Sequence, residues 1–135
     1  MGLNYEFTFT VPSNTSKKNP YERFCKVSAG IVHLVEVYFP RGCAGLVHVK
    51  IFDDGHQIWP SNPEDDFNGD DTTISFNEYY KVVRGKTKFR VIAWNEDEIF
   101  DHTITVRFAI LKEEEVNPWL VLSDLRNVFK TVFGI

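Results

Sequence analysis

Acidic side chains form the densest chemistry-bearing cluster in this chain. Between Asp53 and Asp71 there are seven acids and no Lys or Arg, and Glu96, Asp97, Glu98 and Asp101 make a second acidic stretch. Calcium takes about six to eight oxygen ligands, often from Asp and Asn side chains in loops. The run from Glu64 to Asp71 offers such oxygens, with Asp65, Asp66, Asn68, Asp70 and Asp71 as the candidate ligands. The match to a calcium loop is partial. Placing Gly69 at the glycine position of an EF-hand puts Glu64, Asp66 and Asn68 at the first ligand positions. Ser75 then stands where a bidentate Glu belongs, and the flanks read as strands rather than helices. A solvated acidic surface, or a contact for a basic partner, competes for the same residues.

The other reactive residue types are dispersed. His33, His48, His56 and His102 form no H-E-x-x-H helix motif, and no C-x-x-C pair is present. A metal-dependent oxygenase on a β scaffold would need His-x-His or His-x-Asp on one strand, so that same-face side chains converge on the ion. That pattern is missing, and His102 beside Asp101 reads as a hydrogen-bonding residue at a strand start. No Gly-x-Ser-x-Gly elbow, P-loop or dinucleotide fingerprint occurs, and neither cysteine sits in a nucleophile's sequence context. The expectation is therefore a non-enzymatic protein. Trp59, Tyr79, Tyr80 and Trp94 could stack on sugar rings, although aromatic residues fill β-sheet cores more commonly.

These residues must be held by one body, since 135 residues leave room for a single domain with a short appendage. With 43% hydrophobic and 15% aromatic residues, the composition is that of a globular chain. A formal net charge of −4 argues against a uniform phosphate-binding surface, so nucleic acid is not an expected partner. The amino terminus shows no basic n-region or apolar h-region. Glu6 stands where an N-myristoylation motif needs Ser or Thr. No apolar run approaches the roughly 18 residues of a membrane-spanning helix. A cytoplasmic location fits these absences. Cys25 and Cys43 fit thiols in a reducing compartment, and a disulfide between them stays open. Asn14-Thr15-Ser16 matches a glycosylation sequon, which carries little weight without a secretory signal.

Period-two alternation organises most of the chain. Tyr5, Phe7, Phe9 and Val11 alternate with Glu6, Thr8 and Thr10, as in a strand with one buried and one wet face. Further strands are expected over residues 21–28, 31–39, 46–52, 57–59, 72–80, 87–95 and 102–111. Ala29-Gly30 reads either as a turn or as a bulge in one long strand. Pro60 limits the Gln57–Trp59 strand to a sheet edge, because proline cannot donate to a central ladder. The strand 87–95 is apolar on both faces, which requires neighbours on both. If consecutive strands run antiparallel, loops 61–71 and 95–102 emerge at the same end. Seven or eight short strands with turn signals between them predict an all-β, antiparallel β-sandwich of jelly-roll type over residues 1–112.

Residues 113–135 read as an acidic linker and an amphipathic α-helix. Asn117-Pro118 is a helix-start signal, with Asn as the cap and Pro at the first helical position. At 100° per residue, Trp119, Val121, Leu122, Leu125, Val128, Phe129, Val132 and Phe133 share one arc. A helix of about 16 residues is about 24 Å long, and an isolated one is marginal in water. Its stripe is expected to fold onto its own sandwich or to dock on another subunit or larger assembly. Membrane binding is disfavoured, with only Arg126 and Lys130 basic on the helix and Glu113-Glu114-Glu115 just before it.

The segment Phe39-Pro40-Arg41-Gly42-Cys43-Ala44-Gly45-Leu46-Val47, followed by Gln57-Ile58-Trp59-Pro60, Gly69-Asp70-Asp71 and Ala93-Trp94-Asn95, resembles small jelly-roll proteins of virus particles, especially decoration or head-associated proteins of tailed phages. The resemblance spans roughly residues 30 to 111 and lies in strand rhythm and turn composition. It implies a non-enzymatic module that oligomerises or coats a shell, hence a virion location, and transfers no binding residue. The expected function is a structural or interaction protein that self-assembles or attaches to an assembly such as a capsid. The alternative is a carbohydrate- or calcium-binding module.

Overall fold

The structure is a computed structural model that describes residues 2–112. Eight strands run in chain order as β1 (Leu3–Val11), β2 (Tyr21–Lys26), β3 (Gly30–Phe39), β4 (Val47–Asp53), β5 (His56–Trp59), β6 (Thr72–Val82), β7 (Lys88–Asn95) and β8 (His102–Leu111). They form two four-stranded antiparallel sheets, ordered β1-β8-β3-β6 and β2-β7-β4-β5. The two sheets make a β-sandwich, as the alternation requires. The expected helix carrying Trp119, Val121, Leu122, Leu125, Val128, Phe129, Val132 and Phe133 lies outside the described residues.

Alternation decides which side chains enter the space between the sheets. In β1, Phe9 and Val11 are buried while Glu6, Thr8 and Thr10 are exposed. Opposite them on the inner face of β8 stand Ile104, Val106, Phe108 and Ile110, all buried. The outer face of this pair is polar, with Thr8 and Thr105 joined at 3.0 Å and Arg107 Nε donating to Glu6 at 2.7 Å. In the opposite sheet, β2 brings Cys25 inward beside its ladder partner Phe89. Both cysteines are buried free thiols.

Trp59 ends the edge strand β5 and packs at the centre of the aromatic core. Its ring lies 5.5 Å from Phe89, 6.2 Å from Phe108, 6.0 Å from Phe76 and 5.4 Å from Tyr80. Phe89 stacks on Phe108 at 4.8 Å, which joins the two sheets across the core. The Trp59 indole N–H donates to Glu78 at 2.9 Å, so the ring is buried without an orphaned donor. Trp59 and Tyr80 therefore belong to the core, whereas Tyr79 faces outward and Trp94 lies on the far side of β7. They do not form one sugar-stacking platform.

Ala29-Gly30 proves to be the passage from one sheet to the other. Gly30 has φ of 151°, and a Cβ there would stand 2.2 Å from the Leu111 carbonyl oxygen, so a side chain cannot be admitted. The bulge in β3 occurs further on, between Val32 and Leu34. The two-sided apolar strand β7 is central, flanked by β2 and β4.

Candidate functional site

Strand register gathers four connections at one end of the sandwich. Val11 lies opposite His102, Phe39 opposite Thr72, and Val47 opposite Asn95. The loops 12–20, 40–46, 60–71 and 96–101 consequently share a neighbourhood, and the acids of 64–71 meet those of 96–101 there. The site is built from these loops.

Asn95, only 1% exposed, is the hub. Its side-chain amide donates to the Val11 carbonyl at 3.2 Å and to the Phe100 carbonyl at 3.0 Å, and its Oδ1 accepts from the Asp97 N–H at 2.9 Å. Asp97 then organises the turn. Its Oδ1 accepts from the N–H groups of Ile99 at 2.9 Å and Phe100 at 3.1 Å, and its Oδ2 lies 2.8 Å from His102 Nε2. The Ile99 N–H, then His102, then the Phe100 N–H hold the Asp97 carboxyl below the ordinary carboxylate range. The Asn14 N–H donates to the Asp97 carbonyl at 2.8 Å, and the Ser13 N–H to Asp101 Oδ1 at 2.7 Å. This loop is tied down from three sides, yet its tip exposes Ile99 by 76% and Phe100 by 63%.

A second knot joins loop 60–71 to the sheet. Phe67 exchanges two backbone hydrogen bonds with Val49, both 2.9 Å, prolonging the edge beyond β5. Next to it, His48 Nδ1 donates to Asp66 Oδ1 at 2.6 Å, and the imidazole stacks on Trp94 at 5.0 Å. The Nε2 atom lies 2.9 Å from Glu96 Oε1 but off the direction a hydrogen bond needs. Lys17 Nζ lies 5.3 Å from the Trp94 ring centre, a cation–π contact.

The candidate calcium ligands are directed to several partners. Asp66 and Asn68 come together, with the Asn68 amide donating to Asp66 Oδ1 at 3.0 Å. Asp65 accepts from the Asn62 amide. Asp70 instead accepts from the N–H groups of Gly42 at 2.8 Å and Ala44 at 2.9 Å, which lower its carboxyl pKa, with Ala44 the larger influence. Asp71 takes a left-handed backbone at φ 48° just before β6. Among the described residues, no group of three or more His, Cys, Asp or Glu side chains is arranged to hold a metal ion. These carboxylates cap N–H groups and tie loops together, a use that composition alone did not reveal. The apolar tip at Ile99 and Phe100 was also missed. Its signal was legible: two large apolar residues inside the acidic run Glu96 to Asp101.

No family model matches this chain, and no curated protein matches it. Solved structures do. A chain of the cyanophage Pam1 capsid asymmetric unit is similar over 80% of this chain and 82% of that one, with 14% identity and a TM-score of 0.54. The Yersinia pseudotuberculosis-derived mitogen aligns over 87% of this chain and 93% of its own, at 10% identity and a TM-score of 0.47. A Bacillus endospore appendage pilus chain aligns over 82% and 89%, at 11% identity and a TM-score of 0.31. The capsid likeness is one of fold, and the other two are too distant to carry an argument. Among the described residues, no helix is long and apolar enough to cross a membrane.

Proposed function

We propose that this protein is a non-enzymatic structural module of jelly-roll type, which self-assembles or attaches to a larger protein assembly such as a virus capsid. The carrying observation is the fold likeness to the cyanophage capsid chain over most of both chains. The strand order supports the jelly-roll reading: two interleaved four-stranded antiparallel sheets, β1-β8-β3-β6 and β2-β7-β4-β5, are what two nested Greek keys produce. The apolar stripe from Trp119 to Phe133 supplies an attachment element by its sequence pattern.

Sedimentation velocity of the full chain tests this. The expected result is concentration-dependent association, with L125D/F129D lowering the sedimentation coefficient toward that of a monomer. A wild-type chain that stays monomeric at every concentration would overturn self-assembly. If its melting temperature also rose by several degrees with calcium, the calcium-binding alternative would take its place.

A further inference from the structure

The two ends of the sandwich carry opposite chemistry. Lys26 lies opposite Lys88, Asp53 opposite Phe89, and Gly30 opposite Val82, so the turns after β2, β4 and β6 gather at the end away from the acidic loops. There a groove of about 740 Å³ is lined by Phe24 with Lys26, Lys86, Lys88 and Arg90. Phe24 is 50% exposed, and Lys88 Nζ sits 4.6 Å from its ring centre. Asp53 and Asp54 also line the groove. Asp53 accepts from the Tyr80 hydroxyl, while Arg90 pairs with Glu22 at 3.1 Å and lies over Phe52 at 5.2 Å. The result is a concave surface with an aromatic face and a largely cationic frame.

The opposite end presents its counterpart. Ile99 and Phe100 project from a loop held by Asn95 and Asp97, between the acids Glu98 and Asp101. A rigid apolar tip loses little conformational freedom on docking, which is the condition for an efficient anchor. We propose that the Ile99–Phe100 tip of one copy seats in the Phe24 groove of a second copy. Glu98 and Asp101 would then face Lys86 and Lys88 across the contact. The two patches differ and lie at opposite ends of one body, so the contact is heterologous and propagates into a ring or a filament. This inference rests on the reading of the protein as a self-assembling module and assigns the surfaces.

A loop tip in a groove is a small contact, of the weak class below about 1,200 Å², and repetition along an assembly strengthens it. Its test is position-specific cross-linking in the full chain. Cys25 and Cys43 are buried, so cysteines introduced by E98C and K86C are the accessible ones. Oxidation of the E98C/K86C chain is expected to yield a ladder of disulfide-linked oligomers. A mixture of the two single variants should give mainly the mixed dimer. Adding I99S/F100S should abolish the ladder, and raising salt from about 10 mM to about 1 M, where the Debye length falls from about 30 to about 3 Å, should deplete it. Absence of a ladder, or same-site dimers as abundant as mixed ones, would overturn the proposal. If the ladder is absent while L125D/F129D still lowers the sedimentation coefficient, the head-to-tail contact is wrong and the assembly reading stands.

Discussion

Asp70 and Asp97 show what the acidic residues do one at a time. Each is held below its ordinary pKa of 3.8 by backbone N–H donors, and Asp97 also by His102. A carboxyl whose folded pKa lies below its unfolded value contributes stability that is fully present above the unfolded value. That contribution is lost as pH falls through the folded value. Both should therefore steepen the acid limb of the stability curve below about pH 4. Asp70→Ala is expected to lower the melting temperature at neutral pH by a few degrees and to flatten that limb. Thermal denaturation across pH 2 to 7 checks this, and an unchanged acid limb would show that Asp70 contributes no proton-linked stability. The carboxylate's place was legible in Gly69-Asp70-Asp71, but its role was not. The donors lie 28 and 26 residues away, in the Gly42 to Ala44 turn.

At the scale of elements, alternation and turn residues carried the reading far. Gln57–Trp59 was expected at a sheet edge because Pro60 cannot donate, and β5 is an edge strand paired only with β4. The acidic loops were expected at one end and meet there, since even numbers of antiparallel crossings separate them. The choice between turn and bulge at Ala29-Gly30 was not legible, because both use the same local residues. The close approach of the Leu111 carbonyl decides it, and Leu111 lies far along the sequence from Gly30, in β8. Gly30→Ala combines a clash with an unfavourable φ, so a destabilisation of more than about 1 kcal/mol is expected. Urea unfolding measures it. A variant as stable as the parent would mean that β8 can shift away from the turn.

Across the whole of the described residues, a two-sheet sandwich, the buried thiols report global opening. Burial pushes the Cys25 thiol up to about 12 and the Cys43 thiol up to about 11, the latter aided by the charges of Asp70 and Asp97. Since the thiolate is the reactive form, both should resist a thiol reagent at about pH 8 in the native state. They should label only at the rate at which the structure unfolds. Fast labelling of Cys25 without loss of the β-sheet signal would reveal a local opening of edge strand β2. By itself the sequence determined the strands, their inward faces and the edge position of β5, because pleating and burial act between residues two apart. Only the tertiary structure decided which strands are neighbours. The β1–β8 ladder pairs residues about a hundred positions apart, such as Thr8 with Thr105, and no local pattern encodes a partner at that distance. The β1–β8 pairing sets Ile99 and Phe100 among acids at one end, and the β2–β7 pairing sets Phe24 beside lysines at the other, because the hydrogen-bond register assigns every loop to a pole.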